Sequence, residues 1–436
     1  MTRSGALHVL VVPAWWPSPE QPGAGVFHVD YARAFAEAGL RVGVVVPDLV
    51  SPRFLGKGTR IPLWPRLTEE SLGGIPVIRI RGLHTALRMP ALQMKRFAAW
   101  LRRGYIEYAH RHGRPDVLHA MCTVPAGWAC TAIGGVLGRR VVITEHTGPF
   151  SLVMRKPAQA AYARAGLNLA AGVVAVSEKT RGEMIAEGVQ REILVCGNPV
   201  SPLFTEGPIA GQGGPNTAKG QASAGAFLGV AHPSGGPDPM TTGSDIPAQR
   251  PVRGLFVGRM TREKGALDCL NAVLPVMKSP AGRMVEFRFI GDGPLAAEIR
   301  TRANAAGLGR RLTFPGHVSR ERLRIELGQA DFLVLPSHGE SFGLAVAEAL
   351  CVGLPVVTTR GTACADFVGR DDGIVVPPGD AAALADAVRD IARTADAYDR
   401  AAIAQRARAR FSRGAVAAWY ADLFARVVAA APEGGA

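Results

Sequence analysis

Four charged residues in the second half of the chain, two glutamates and two cations, have types and spacing that could do chemistry. Glu340 and Glu348 lie in GESFGLAVAEAL (339–350), the first in a loop and the second inside an apolar run of Phe342, Leu344, Val346 and Leu350. A helix over this run, beginning near Phe342, is apolar on nearly every face, the mark of an element covered on all sides. Glu348 is then buried, which a carboxylate tolerates only with a cation or hydroxyl donors against it. Arg259 and Lys264 stand five apart in LFVGRMTREKGALDCL (255–270), where a strand ends at Gly258 and a helix follows. Gly258 and Gly265 permit close backbone approach there, and a basic loop entering a helix suits phosphate. Taken alone, the same loop also reads as a solvated basic turn.

These residues need elements that bring them together. Strand-like runs alternate with helical patterns in the first half (HVLVV, RVGVVVP, PDVLHA, RRVVIT, GVVAVS) and again in the second (RGLFVG, EFRFIG, RLTFPG, DFLVLPS, LPVVTT, GIVVPPG). Buried strands separated by amphipathic helices indicate parallel sheets covered on both faces. The expected fold is α/β, two Rossmann-like doubly wound domains facing across a cleft, with ligand at the carboxyl ends of the strands. The expected boundaries are 1–205 for the first domain, 206–250 for a low-complexity linker or insertion, 251–410 for the second domain, and 411–436 for a C-terminal helix. In that cleft Arg259 and Lys264 would neutralise a diphosphate, with backbone amides around Ser341, Phe342, Gly343 and Leu344 donating to it. Glu348 would accept hydroxyls from a sugar diol and Glu340 would touch a second sugar; the alternative for Glu348 is an ion pair with an arginine such as Arg259. FIGDGPLA (289–296) has the form of a dinucleotide fingerprint. The strand that follows offers no acid for a ribose, so no cofactor is expected.

The chain has 436 residues, a formal charge of +14 and a pI near 10.1. That charge implies an anionic partner without choosing among phosphorylated small molecules, acidic polymer, lipid headgroups and nucleic acid. Basic residues are scattered and aromatics make up 6%, without the basic and aromatic interleaving that nucleic-acid stacking needs. Six cysteines show no metal-ligand spacing and read as reduced, buried thiols, an expectation of a cytoplasmic protein. Residues 91–114 form a helix candidate with Met94, Phe97, Leu101, Tyr105 and Tyr108 on one face and a basic opposite face. It reads either as core packing or as peripheral contact with anionic membrane.

Together these motifs resemble the retaining GT-B glycosyltransferases that include bacterial mannosyl- and glucosyltransferases and sucrose synthase. The resemblance covers almost the whole chain, most specifically at the glutamates of PSHGESFGLAVAEALCVGLPVV with VGRMTREKG before them. It implies that Glu348 holds the ribose of a nucleoside diphosphate sugar, that Arg259 and Lys264 bind its diphosphate, and that Glu340 contacts the donor sugar. It also implies Gly25 in the first glycine loop facing the cleft, His146 beside the donor sugar, and Gly316 to Val318 near the nucleobase. His146 taken alone reads equally as a strand-end residue, and His28, His119 and His338 as structural. TTRGTACADFV departs from the family pattern at Thr362 and Asp366, so that loop has no assigned role. The implied reaction is transfer of a hexose, with retention, to a glycan or lipid-linked acceptor in polysaccharide or glycoconjugate biosynthesis. The chain contains no D-x-D triplet, and the expectation is metal independence. A sugar-nucleotide epimerase or hydrolase of the same architecture is the alternative.

Overall fold

The computed structural model of the protein describes residues 5–54, 61–84, 89–210, 250–279 and 284–430. Most of the expected 206–250 linker, residues 211–249, and the last six residues lie outside the described residues. The first sheet is built from β1 (His8–Pro13), β2 (Arg41–Val50), β3 (Arg66–Leu72), β4 (Ile75–Leu83), β5 (Val117–Met121), β6 (Arg140–Glu145), β7 (Gly172–Ala175) and β8 (Leu194–Val195). Its order is β3-β4-β2-β1-β5-β6-β7-β8. The second contains β9 (Val252–Val257), β10 (Val285–Ile290), β11 (Leu312–Gly316), β12 (Phe332–Leu335), β13 (Val356–Thr359) and β14 (Gly373–Val376), ordered β11-β10-β9-β12-β13-β14. Unbroken apolar strands such as β1 and β12 are buried along their whole length, as strands covered on both faces must be.

Helices run between the strands. In the first half they are α1 (Val26–Glu37), α2 (Pro90–His112), α3 (Trp128–Leu137), α4 (Ser151–Met154), α5 (Pro157–Leu169), α6 (Glu178–Ala186) and α7 (Pro202–Thr205). In the second they are α8 (Ala266–Lys278), α9 (Ala296–Ala305), α10 (Arg320–Gln329), α11 (Leu344–Cys351), α12 (Ala381–Thr394), α13 (Arg400–Phe411) and α14 (Arg413–Ala429).

Strand order reverses between β1 and β5 in the first sheet and between β9 and β12 in the second. At such a point the loops leaving neighbouring strands diverge to opposite faces, and a crevice opens between them. The loops after β9 and β12 carry residues 258–265 and 336–343, so topology alone brings the basic turn beside the acidic loop.

One detail of the strands differs from the expectations. The first sheet carries an antiparallel edge strand: β3 pairs with β4 through a tight turn at Gly73 and Gly74, and its glutamates face outward at the edge. The apolar stripe of α2 is core, with Met94, Phe97, Leu101, Tyr105 and Tyr108 all buried in the first domain's cluster. Only its outward face, including Leu92, Lys95, Arg102, Arg103 and Ile106, meets solvent. Among the described residues no helix is long and apolar enough to cross a membrane.

From residue 413 on, the C-terminal segment is the single helix α14, with α13 before it. Ser412 ends α13 and caps α14 by accepting from the Ala415 amide. The chain then returns to the first domain, where Tyr420, Leu423 and Phe424 pack with Tyr31 and Phe35 of α1 in one cluster. Arg413 locks the crossing, donating to Asp30 and Glu37 at 2.6 Å each.

Candidate active site

Both loops at the crevice of the second sheet end in a left-handed glycine that starts a helix. Gly265 (φ 65°) precedes α8, and a Cβ there would lie 2.0 Å from the Pro336 carbonyl oxygen, so the loops leaving β9 and β12 are in direct backbone contact. Gly343 (φ 89°) precedes α11, where a Cβ would meet the Cys364 sulfur at 2.1 Å. This glycine moves the helix start from the expected Phe342 to Leu344. Gly258 is not constrained in this way, since its nearest neighbour to a Cβ would be 3.8 Å away. The close approach runs the other way: Gly291 and Gly293 of FIGDGPLA press against the backbone of Gly258 and Met260. The fingerprint-like glycines therefore pack two loops together.

Lys264 donates from Nζ to Glu340 Oε1 at 2.6 Å, and Ser337 Oγ donates to the same oxygen at 3.2 Å. Both partners are largely buried, so the pair is fixed by its surroundings rather than fluctuating in solvent. An ammonium has three donors, and Glu340 takes one; the others remain for a second anion. Arg259 has its side chain 72% exposed, with Glu263 as a distant partner at 3.9 Å. The two cations thus share a loop but differ in kind, one anchored and one free to reorient.

Glu348 is buried in α11, as its apolar neighbours require, and it is paired. Arg320 at the start of α10 donates from Nη2 to Glu348 Oε1 at 2.6 Å. The arginine that the sequence offered, Arg259, is not the partner. Burial pushes the Glu348 carboxyl up to about 7; Arg320 pulls it down and the Asp30 charge pushes it further up. The desolvation penalty of a buried carboxylate can exceed the attraction of a single partner, as it does here.

Ser341 and Phe342 face the first domain. The Ser341 carbonyl accepts from Ser177 Oγ at 2.8 Å and from Thr180 Oγ1 at 3.3 Å, at the N-terminus of α6. Gly148 lies against the Ser341 side chain closely enough that a Cβ would stand 2.7 Å from it. The Phe342 ring is buried against Phe367 and Phe411 with its edge at Gly197, a packing role rather than an exposed one. The Lys179 amide donates to Asp366 at 2.9 Å, so the loop without an assigned role is an interdomain contact. Leu344 and Val318 are half-buried against the second domain's core.

On the opposite side, Gly25 caps α1 against the Trp15 backbone, and His146 follows β6. The His146 ring is buried among Phe27, His28 and Tyr31, with centroids 4.9, 5.2 and 5.6 Å away. Neither ring nitrogen has a hydrogen-bond partner, although the Asn198 amide is near enough to favour the cation slightly. Burial first, then His28 and His119, hold its pKa well below the usual histidine range, so the ring is neutral at pH 7. His28 and His119 are buried and bonded to the Trp15 carbonyl and the Thr144 hydroxyl, and burial pulls them to about 4 and about 3. His338 pairs at the surface with Asp268. Of the four histidines, His146 alone has two buried, unpartnered nitrogens. Sequence reasoning missed Arg320, Ser177, Thr180 and Gly148. The need of Glu348 for a cation was the one signal pointing toward Arg320.

Two doubly wound domains meeting at these loops define a GT-B architecture, and comparison with known proteins carries this further. Residues 251–394 match the family described as Glycosyl transferases group 1, and residues 23–202 match Glycosyltransferase Family 4. The putative teichuronic acid biosynthesis glycosyltransferase TuaC of Bacillus subtilis is 25% identical over 88% of each chain. A 2-deoxystreptamine N-acetyl-D-glucosaminyltransferase of Niallia circulans is 33% identical over 30% of this chain and 34% of its own. Anabaena HepE in complex with UDP shares the fold with a TM-score of 0.62 at 18% identity, covering 96% of this chain and all of that one. The chain has the GT-B fold and is a glycosyltransferase, with its second domain similar to the group 1 glycosyltransferases.

Because the fold holds Glu348 above its unfolded value near 4.5, the neutral acid is the form the interior favours. Its contribution to stability is complete below about pH 4.5 and lost as pH rises through about 7. Glu348→Gln, which cannot ionise, should therefore gain stability relative to the parent between pH 5 and 8, by up to roughly 3 kcal/mol at ~1.36 per pKa unit. Thermal unfolding of both proteins across that range measures it; a difference that does not change with pH contradicts the assignment.

Proposed function

We propose that the chain moves a hexose from a nucleoside diphosphate sugar to a glycan or lipid-linked acceptor, with retention at the anomeric carbon and without a metal ion, in polysaccharide or glycoconjugate assembly. The observation that carries this reading is the meeting of Lys264 and Glu340 at 2.6 Å, beside the start of α11 and eight residues ahead of Glu348. The names of similar proteins support it: TuaC is a putative teichuronic acid glycosyltransferase, HepE was crystallised with UDP, and a starch synthase IV of the same fold with ADP and acarbose.

In this reading Lys264 and Arg259 take the diphosphate together with amides of the 341–344 segment. Glu348 accepts from the ribose hydroxyls, and Glu340 both orients Lys264 and touches the donor sugar. His146 faces that sugar with a neutral ring, Gly25 lies across the crevice near donor phosphate or acceptor, and Gly316 to Val318 border the base. The bond from the anomeric carbon to the phosphate oxygen breaks with its electron pair leaving on the diphosphate. The acceptor oxygen then bonds to the same face, and its proton passes to the departing phosphate. A cation about 4 Å from a phosphate oxygen contributes on the order of 4 kcal/mol at an effective dielectric of about 20. Two such cations and a helix N-terminus can stabilise the leaving group without a divalent ion.

A membrane-bound acceptor would be met through charge. The exposed face of α2 is basic, and Leu63 and Trp64 stand beside it, Trp64 being 84% exposed, with Arg103 donating to the adjacent Pro65 carbonyl. Interfacial contact through basic residues and a tryptophan predicts co-sedimentation with anionic but not neutral liposomes, released by high salt. Equal pelleting with both lipids, or with neither, counts against the contact.

Lys264→Ala should lower kcat by about 10²-fold, on the order of 3 kcal/mol at ~1.4 per decade, while circular dichroism remains that of the parent. The donor for this assay is chosen by thermal shift among uridine, guanosine and adenosine diphosphate sugars. Unchanged turnover in the folded variant removes the lysine from the mechanism.

A further inference from the structure

We propose that Arg320 is a positioning residue for the donor: braced on the Phe204 ring, it fixes the Glu348 carboxylate as the acceptor for the ribose hydroxyls. The inference rests on the donor reading above and assigns a role to a residue outside the motifs that suggested it.

Arg320 is held from two sides. Its Nη2 bonds to Glu348 Oε1 at 2.6 Å, and its guanidinium carbon lies 5.0 Å from the centroid of the fully buried Phe204 in α7. The backbone adds a third restraint, since Ser319 caps α10 immediately before it by accepting from the Arg322 amide. A guanidinium stacked on an aromatic face with one donor committed loses little further freedom when it orients a carboxylate. The side chain remains 36% exposed.

Among the described residues, Arg320 is the cation that pairs with Glu348. The other helix turns of α11 are apolar, and neither α7 nor β12 nor β13 brings a charged residue within its span. Arg408 of α13 is committed to the Cys351 carbonyl, and the Cys351 thiol is pushed up to about 12 by burial and stays neutral. Asp30 of α1, itself paired with Arg413, opposes ionisation of Glu348. Without Arg320, burial and Asp30 both favour the neutral acid, which turns one of its two acceptor oxygens into a donor and no longer matches a pair of hydroxyl donors.

The test is calorimetric binding of UDP-glucose, GDP-mannose and ADP-glucose, whose diphosphate diesters do not titrate between about pH 5.5 and 8.5. The proteins are the parent, Arg320→Met, Arg320→Lys and Glu348→Gln, each checked for fold by circular dichroism. For the sugar nucleotide that binds, affinity of the parent should rise with pH through about 7. In Arg320→Met the midpoint should move up by at least about one unit, with affinity near pH 7 reduced about tenfold. Arg320→Lys should keep the parent midpoint, which a merely structural arginine does not require, and Glu348→Gln should bind weakly with no pH dependence. The inference is overturned if Arg320→Met keeps the parent's midpoint and affinity, if it binds more tightly, or if the parent shows no rise. Should Arg320→Met be unstable, a parent-like midpoint in Arg320→Lys supports the role and a raised one overturns it. Parent-like binding by Glu348→Gln, or no binding of any of the three by the parent, overturns the donor reading itself and this inference with it.

Discussion

A single ion pair between two loops organises the crevice of the second domain. Lys264 and Glu340 approach each other because β9 and β12 are neighbours at the point where strand order reverses, and the loops that leave them have nowhere else to go. Gly265 then permits the loops to touch, its missing side chain making room for the Pro336 carbonyl. That contact brings an anchored ammonium, an exposed guanidinium at Arg259 and the start of α11 into one loop pair.

The second constraint is the closeness of the two domains. Ser341, one residue beyond Glu340, gives its carbonyl to Ser177 and Thr180, and Phe342 fills the space at Gly197. The segment proposed to cradle phosphate is therefore positioned by the first domain as well as by its own. Asp366 adds a further link by capping the exposed start of α6, where burial raises its pKa. The crossing helix α14 reinforces the arrangement from behind, through Arg413 and the aromatic cluster around Tyr420.

Much of this was legible in the sequence because it is periodic or local. Alternating apolar runs identify parallel strands, and an acid in an apolar helix identifies Glu348 as buried. The edge hairpin left a signal too, two glycines between alternating segments, which a reading tuned to parallel strands passed over. The start of α11 shifted by two residues because Gly343 adopts a left-handed backbone that only its tertiary neighbours reveal. Arg320 was harder: Arg320, Arg322 and Arg324 stand at alternate positions, and only the fold shows that the first turns to Glu348 while the second takes Glu326 and the third reaches the Leu203 carbonyl. The stripe of α2 had the period of an amphipathic helix, and period cannot distinguish a core from a bilayer.

The account turns on where a diphosphate sits. A crystal structure of the protein soaked with its sugar nucleotide tests this most directly. The predicted result is phosphate oxygens within hydrogen-bond reach of Lys264 Nζ and the first amides of α11, with the ribose hydroxyls on Glu348 and Arg320 still in contact with that acid. A nucleotide bound elsewhere on the protein, with Lys264 and Glu348 occupied only by Glu340 and Arg320, contradicts it.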